Sequence, residues 1–126
     1  FAKMRIRTLS QGMKQQLTLA IAYATGARYL LLDEPMNALD PSRVDLHSEI
    51  LRKLADSGTC IIMSSHILDS VDRLCDEILF LKDGRLIRSI PQDDAAPKSP
   101  GSHFAKPAGR AEGALSTYRR LYEKGG

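Results

Sequence analysis

Tyr29-Leu30-Leu31-Leu32-Asp33-Glu34-Pro35 is the stretch on which the fold turns. Four apolar residues run without a polar interruption, then give way to two adjacent carboxylates and a proline. A short apolar run of this kind, from Arg28 to Asp33, predicts a strand buried on both faces, as in parallel sheets. The carboxylates then fall at the strand's C-terminal end, where open α/β sheets bind their ligands. Two anions side by side are costly unless a cation or a proton relieves them. Mg²⁺ carried by a nucleotide is one such cation. One carboxylate would orient the metal through its waters, and the other would polarise an attacking water. Taken alone, the same residues serve equally well as a surface turn after a strand.

Working outward, Ser10 to about Thr25 predicts a helix, with Met13, Leu17, Ala20, Ile21 and Ala24 at three- and four-residue steps. Ser10 is its expected N-cap and Gly26 its stop. Asp40-Pro41 opens a second helix: Asp caps, and Pro has the right φ for a first turn. Val44, His47, Ile50, Leu51 and Leu54 carry that helix toward Gly58. Thr59–Ser64 predicts a second buried strand, and Ile67–Cys75 a short helix. Glu77–Lys82 and Arg85–Ile90 predict strands around the hairpin turn Asp83-Gly84. The alternation predicts an α/β layer of parallel strands closed by an antiparallel edge.

Three further motifs flank the carboxylates. Leu9-Ser10-Gln11-Gly12-Met13 is a small-residue turn opening a helix, where backbone N–H groups, a hydroxyl and a side-chain-free position suit a phosphate. By itself it reads better as an ordinary cap. Asn37-Ala38-Leu39-Asp40-Pro41 is a capped helix start, and on the functional reading a loop at a subunit boundary. Ser64-Ser65-His66 follows the second strand, and a His there can donate a hydrogen bond to a phosphate oxygen. His47, on a helix, and His103, in a linker, receive no role.

Bulk properties narrow the classes. The chain has 126 residues, 43% of them apolar, enough for one modest soluble domain. No run approaches the roughly 18 apolar residues of a membrane helix, and no charged-then-apolar leader is present. The first residue is Phe1, which suggests a partial frame. Cys60 and Cys75 read as buried, reduced thiols, since an isolated pair lacks metal-ligand spacing. Residues 97–126 hold 6 basic and 2 acidic side chains, a net of +4, whereas residues 1–96 are at −1, so the basic excess lies in the tail. Such a tail suits an anionic membrane surface or nucleic acid. A merely solvated tail is the better reading.

The four motifs together, in one order and within residues 10–66, resemble those of ABC (ATP-binding cassette) ATPases. Leu9–Met13 resembles the signature motif, and Leu30–Asp33 with Glu34 resembles Walker B and its catalytic glutamate. Asn37–Asp40 resembles the D-loop and His66 the switch histidine. The resemblance covers about residues 5–90. It implies an α/β, P-loop NTPase-type parallel sheet with flanking helices, here the C-terminal half of a nucleotide-binding domain. It divides the chain into residues 1–90 of the ATPase domain, a flexible linker over 91–113 and a short C-terminal helix over 114–126. That last helix would be amphipathic, with Leu115, Tyr118, Leu121 and Tyr122 on one side.

The resemblance also implies roles. Ser10, Gln11 and Gly12 would face the γ-phosphate of an ATP held by an opposite domain. Asp33 would support Mg²⁺ through water, Glu34 would be the general base, and His66 would sense the γ-phosphate. Asp40 would link the two sites of a dimer. Partners would be a second nucleotide-binding domain and a membrane permease, with no direct nucleic acid, at the cytoplasmic face of the cell membrane. The Ser-x-Gly-Met-Lys-Gln form, with Gln11 and Met13 replacing the commoner Gly and Gln, is familiar in bacterial exporter-type members. The 126 residues contain no Gly-x-x-x-x-Gly-Lys-[Ser/Thr] (Walker A) and no preceding glutamine loop. The chain alone is therefore expected neither to bind ATP normally nor to turn it over. A soluble ABC ATPase acting on ribosomes or DNA, and a non-catalytic remnant, are the competing readings.

Overall fold

The computed structural model describes residues 6–91 and 113–123, so the expected linker falls almost wholly outside the described residues. The chain divides into two compact units, Phe1–His66 and Ile67–Gly126.

The first unit opens with a 3₁₀ turn, Ile6–Thr8, followed by α1 (Gln11–Ala24), β1 (Tyr29–Leu32), α2 (Pro41–Asp56) and β2 (Cys60–Met63). Ser10 caps α1, its Oγ accepting from the Met13 N–H at 3.2 Å. Asp40 caps α2, with Pro41 in the first turn. Gly26 follows α1 at φ +64°, a conformation that costs a side-chain-bearing residue energy. β1 and β2 pair in parallel, Tyr29 opposite Cys60 through Leu32 opposite Met63, with α2 as the crossover. Leu19, Leu30, Met36, Val44 and Leu51 are buried. Full burial of a Leu contributes about 1.5–3 kcal/mol.

Three expectations need correction here. The strands are not buried on both faces: Leu30 is buried, but Tyr29, Leu31 and Ile62 are 72%, 78% and 60% exposed. Cys60 shares that open face and is exposed, while Cys75 is half-buried. The physical reason is that helices cover one face of the pair, and no described residue of this unit covers the other. The α1 stripe is also shifted. Leu19 is its buried residue and Ile21 is 59% exposed. The helix is apolar on more than one side. Its inward side follows Gly12, Gln16, Leu19 and Tyr23, spaced at three and four residues, two of which carry no hydrophobic signal.

The second unit holds α3 (Leu68–Leu74), β3 (Glu77–Lys82), β4 (Arg85–Pro91) and α4 (Ala114–Tyr118), which continues as a π-helical turn over Arg119–Glu123. β3 and β4 form the expected hairpin, with Asp83 and Gly84 at φ +50° and +72°. β3 alternates: Ile78 and Phe80 are buried, Leu79 and Leu81 exposed. Val71, Ile78, Phe80 and Ala114 form the core, with Leu68, Cys75, Ile90, Leu121 and Tyr122 against it. The Asp72 carboxylate accepts the Ala114 N–H at 2.9 and 3.0 Å, capping α4 from α3. Leu115 and Tyr118 are 50% and 39% exposed, whereas Ala114 and Thr117 are fully buried. The inward side of α4 is thus the small-residue side, and the larger Leu121 and Tyr122 reach the core from the turn that follows. The antiparallel pair does not close the parallel one: among the described residues the strands form two separate two-stranded sheets. The tight turn gives β3 and β4 each other's hydrogen bonds, and that ladder needs no third strand.

Candidate functional site

At the C-terminal ends of β1 and β2 the backbone ladder extends one step further, the Ser64 N–H donating to Leu32 O at 2.9 Å. This brings Ser64 beside the carboxylates. Its hydroxyl donates to Asp33 Oδ1 at 2.5 Å and accepts the Glu34 N–H at 2.9 Å. One serine thus fixes both acidic residues, one by side chain and the other by backbone. His66 lies two residues on, its Nδ1 2.8 Å from Glu34 Oε2. The Glu34 side chain is 35% exposed and that of His66 69%, so the pair meets solvent. An imidazole N–H donating to one carboxylate oxygen orients Glu34 and leaves its other oxygen free to accept a proton.

Glu34 has φ +46°, left-handed and disfavoured for a side chain with a Cβ. Strain of this kind persists only where the surroundings over-determine it, and it concentrates at functional sites. Here the surroundings are visible. The Ser64 hydroxyl takes the Glu34 N–H, and the Gln15 side-chain amide donates to Pro35 O at 2.8 Å. The next two residues, Pro35 and Met36, are buried. Ala38, also left-handed at φ +62°, turns its carbonyl toward the start of α1. A Cβ on Gly12 would come within 2.9 Å of that oxygen, so the close approach requires glycine.

The expected site residues therefore fall into two groups. Asp33, Glu34 and His66 meet around Ser64. Gly12 and Asp40 flank the Asn37–Asp40 loop, Gly12 by contact and Asp40 by capping α2. The Asp40 carboxylate accepts from Ser42 Oγ at 2.6 Å and from the Arg43 N–H at 3.1 Å. These bonds, the Ser42 bond foremost, hold its pKa below the usual carboxylate value. Ser10 uses its hydroxyl on its own helix start, and Gln11 is exposed. Sequence reasoning missed Ser64 and Gln15 as builders of the site. For Ser64 a signal existed, a hydroxyl directly after a strand and two residues before His66. Gln15 gave none, since a polar residue in the second turn of a helix reads as solvated.

The first 37 residues match the ABC transporter family model. Nod factor export ATP-binding protein I of Neorhizobium galegae is 40% identical over 90 residues, covering 71% of this chain and 26% of that protein. The lantibiotic transport ATP-binding protein SrtF of Streptococcus pyogenes is 40% identical over 85 residues, 68% of this chain and 37% of that protein. A solved structure titled as the ATP-binding subunit of an ABC transporter superposes with a TM-score of 0.66 at 30% identity, over 71% of this chain and 37% of that one. The fold is thus the α/β, P-loop NTPase type. The chain belongs to the family of ABC transporter ATP-binding proteins, and spans 26% to 37% of the length of these relatives.

Proposed function

We propose that this chain supplies the hydrolytic and dimer-facing half of an ATPase site that energises an ABC transporter. The observation that carries the reading is the Ser64-centred cluster, in which a strained Glu34 is held by His66 and by backbone contacts beside Asp33. In hydrolysis, water oxygen attacks the γ-phosphorus as the bond to the β,γ-bridging oxygen breaks. Glu34 is the group that accepts the water proton, and ADP is the leaving group. His66 keeps Glu34 aimed and presents its imidazole toward the γ-phosphate. The donor set, two adjacent carboxylates open to solvent, fits Mg²⁺ arriving with nucleotide phosphates, and Asp33 would hold it through water. When bound, that ion supplies charge neutralisation on the phosphates.

Ser10, Gln11 and Gly12 present a helix start to the ATP of an opposing nucleotide-binding domain, and Asp40 stands at the boundary between the two. The remaining partner is a membrane permease, which puts the protein at the inner, cytoplasmic face of the membrane. Relatives named for Nod factor export and lantibiotic transport, together with the Ser-x-Gly-Met-Lys-Gln signature, favour a bacterial export system.

The test compares the chain alone with the chain joined to a segment bearing Gly-x-x-x-x-Gly-Lys-[Ser/Thr]. Hydrolysis is expected only in the joined form. There, Glu34→Gln should retain nucleotide while losing turnover. Unchanged turnover in Glu34→Gln removes Glu34 as the base, and hydrolysis by the chain alone overturns the assignment of the cradle to an outside segment.

A further inference from the structure

α1 and α2 are bridged by two side-chain hydrogen bonds. Arg43 donates to Gln16 Oε1, and the Tyr23 hydroxyl lies 2.9 Å from His47 Nδ1. The Tyr23 and His47 ring centroids are 5.8 Å apart with the planes tilted by 40°. His47 is 6% exposed, and the other buried residues of α2 (Val44, Ser48 and Leu51) do not ionise. An imidazole at that depth is costly unless its nitrogens are satisfied. Neutral His47 with its proton on Nε2 presents a lone pair at Nδ1, which the Tyr23 O–H fills. Burial pushes the Tyr23 pKa up to about 12, so it remains a hydroxyl donor throughout the range in which His47 titrates. Burial, and after it the Arg43 guanidinium one turn away, hold His47 below the ordinary histidine value. The groups facing His47 are thus Tyr23 from α1 and Arg43 on its own helix.

We propose that Tyr23 and His47 form a proton-sensitive latch that sets how α1 sits on α2, and with it how the Ser10–Gly12 turn meets the Asn37–Asp40 loop. Both helices begin at that junction. α1 starts with Gly12 against Ala38 O, and α2 is capped by Asp40. Tyr23 lies three turns along α1 from Gly12, roughly 16 Å by helical rise, so a change at the latch tilts the helix start. Protonation of His47 turns Nδ1 from acceptor into donor. The Tyr23 hydroxyl must then reverse, and a charge appears in a desolvated position beside Arg43. Both effects push α1 off α2. Tyr23 and His47 act through the helices that carry them and are positioning residues.

The sign follows from linkage. Above the ordinary histidine value, about 6.5, neither folded nor unfolded chain protonates His47 and the latch is intact. As pH falls below it, the unfolded chain takes up a proton that the folded chain resists, so stability declines until the lower folded value is reached.

The test titrates the chain itself and is independent of ATP hydrolysis. Imidazole ¹H–¹⁵N correlations are followed from pH 8 to pH 4, together with the backbone amides of Gly12 and Ala38. The expected result is a neutral His47 with Nδ1 unprotonated at pH 7, titrating below about 6.5. The two amides should move with the same midpoint. Tyr23→Phe, which keeps the ring, should raise the His47 midpoint and uncouple the amides from it. A His47 midpoint at or above the ordinary value overturns the latch. Amides that ignore the His47 titration also overturn it, leaving only a buried aromatic pair.

Discussion

Glu34 and Asp83 adopt nearly the same left-handed backbone, φ +46° and +50°, for opposite reasons. Asp83 sits with Gly84 in a two-residue hairpin turn, where consecutive positive φ values match the twist of the strands. Its conformation is set by its neighbours, and Asp tolerates it. Glu34 sits in no hairpin, although its carbonyl accepts the Asn37 N–H at 3.0 Å in a local turn. It is held by Ser64, 30 residues away in sequence, while Gln15, 20 residues from Pro35, steadies the following carbonyl. Local strain in the hairpin makes a connection. The same strain at the end of β1, imposed by tertiary contacts, aims a carboxylate.

The sharpest break in that comparison is Glu34→Gln in the joined, P-loop-bearing domain. On the proposed role of Glu34 as general base, its loss should lower turnover by about 10²–10⁴-fold, whereas Asp83→Asn in the hairpin should leave turnover unchanged. Steady-state hydrolysis measures both. Ser64→Ala comes next. It removes the shared partner of the Glu34 N–H and the Asp33 carboxylate, and because these groups meet solvent the cost is that of an ordinary hydrogen bond, about 0.5–1.5 kcal/mol. Denaturant melts measure the loss, and Ser64→Thr, which keeps the hydroxyl, should recover part of it. Gly12→Ala drives a Cβ to 2.9 Å from the Ala38 carbonyl. Backbone must move, and such overpacking costs about 1–3 kcal/mol.

The smallest effects sharpen the comparison. Glu34→Gly relieves the left-handed strain and should raise stability by up to about 1 kcal/mol while abolishing turnover. Asp83→Gly should change either quantity little. A Glu34→Gly variant no more stable than the parent would mean that the surroundings, and not the residue, had absorbed the strain. The Asp40 cap adds a pH dependence of known sign. Its pKa is lowered in the fold by the Ser42 hydroxyl and the Arg43 N–H. Its stabilisation is present above the ordinary carboxylate value near 3.9 and fades as pH falls through the lower folded value. Acid melts of Asp40→Ala should lack that component.

The sequence by itself determined the local events. Ser10 and Asp40 cap their helices and Asp83-Gly84 turns the hairpin, because each acts through groups within three residues of itself. The apolar run ending in Asp33 and Glu34 marked the end of a strand, and the order of four motifs marked the family. Only the tertiary structure decided what depends on distant neighbours. Burial of one face of β1 and exposure of the other reflect which side the helices cover, and Leu31 carries no mark of it. The same holds for the open Cys60, the inward turn of Leu19 on α1, and the separation of two sheets expected as one. It holds most of all for Ser64. A hydroxyl has no preferred partner in sequence, and it binds Asp33 and Glu34 because a parallel ladder carries it to them.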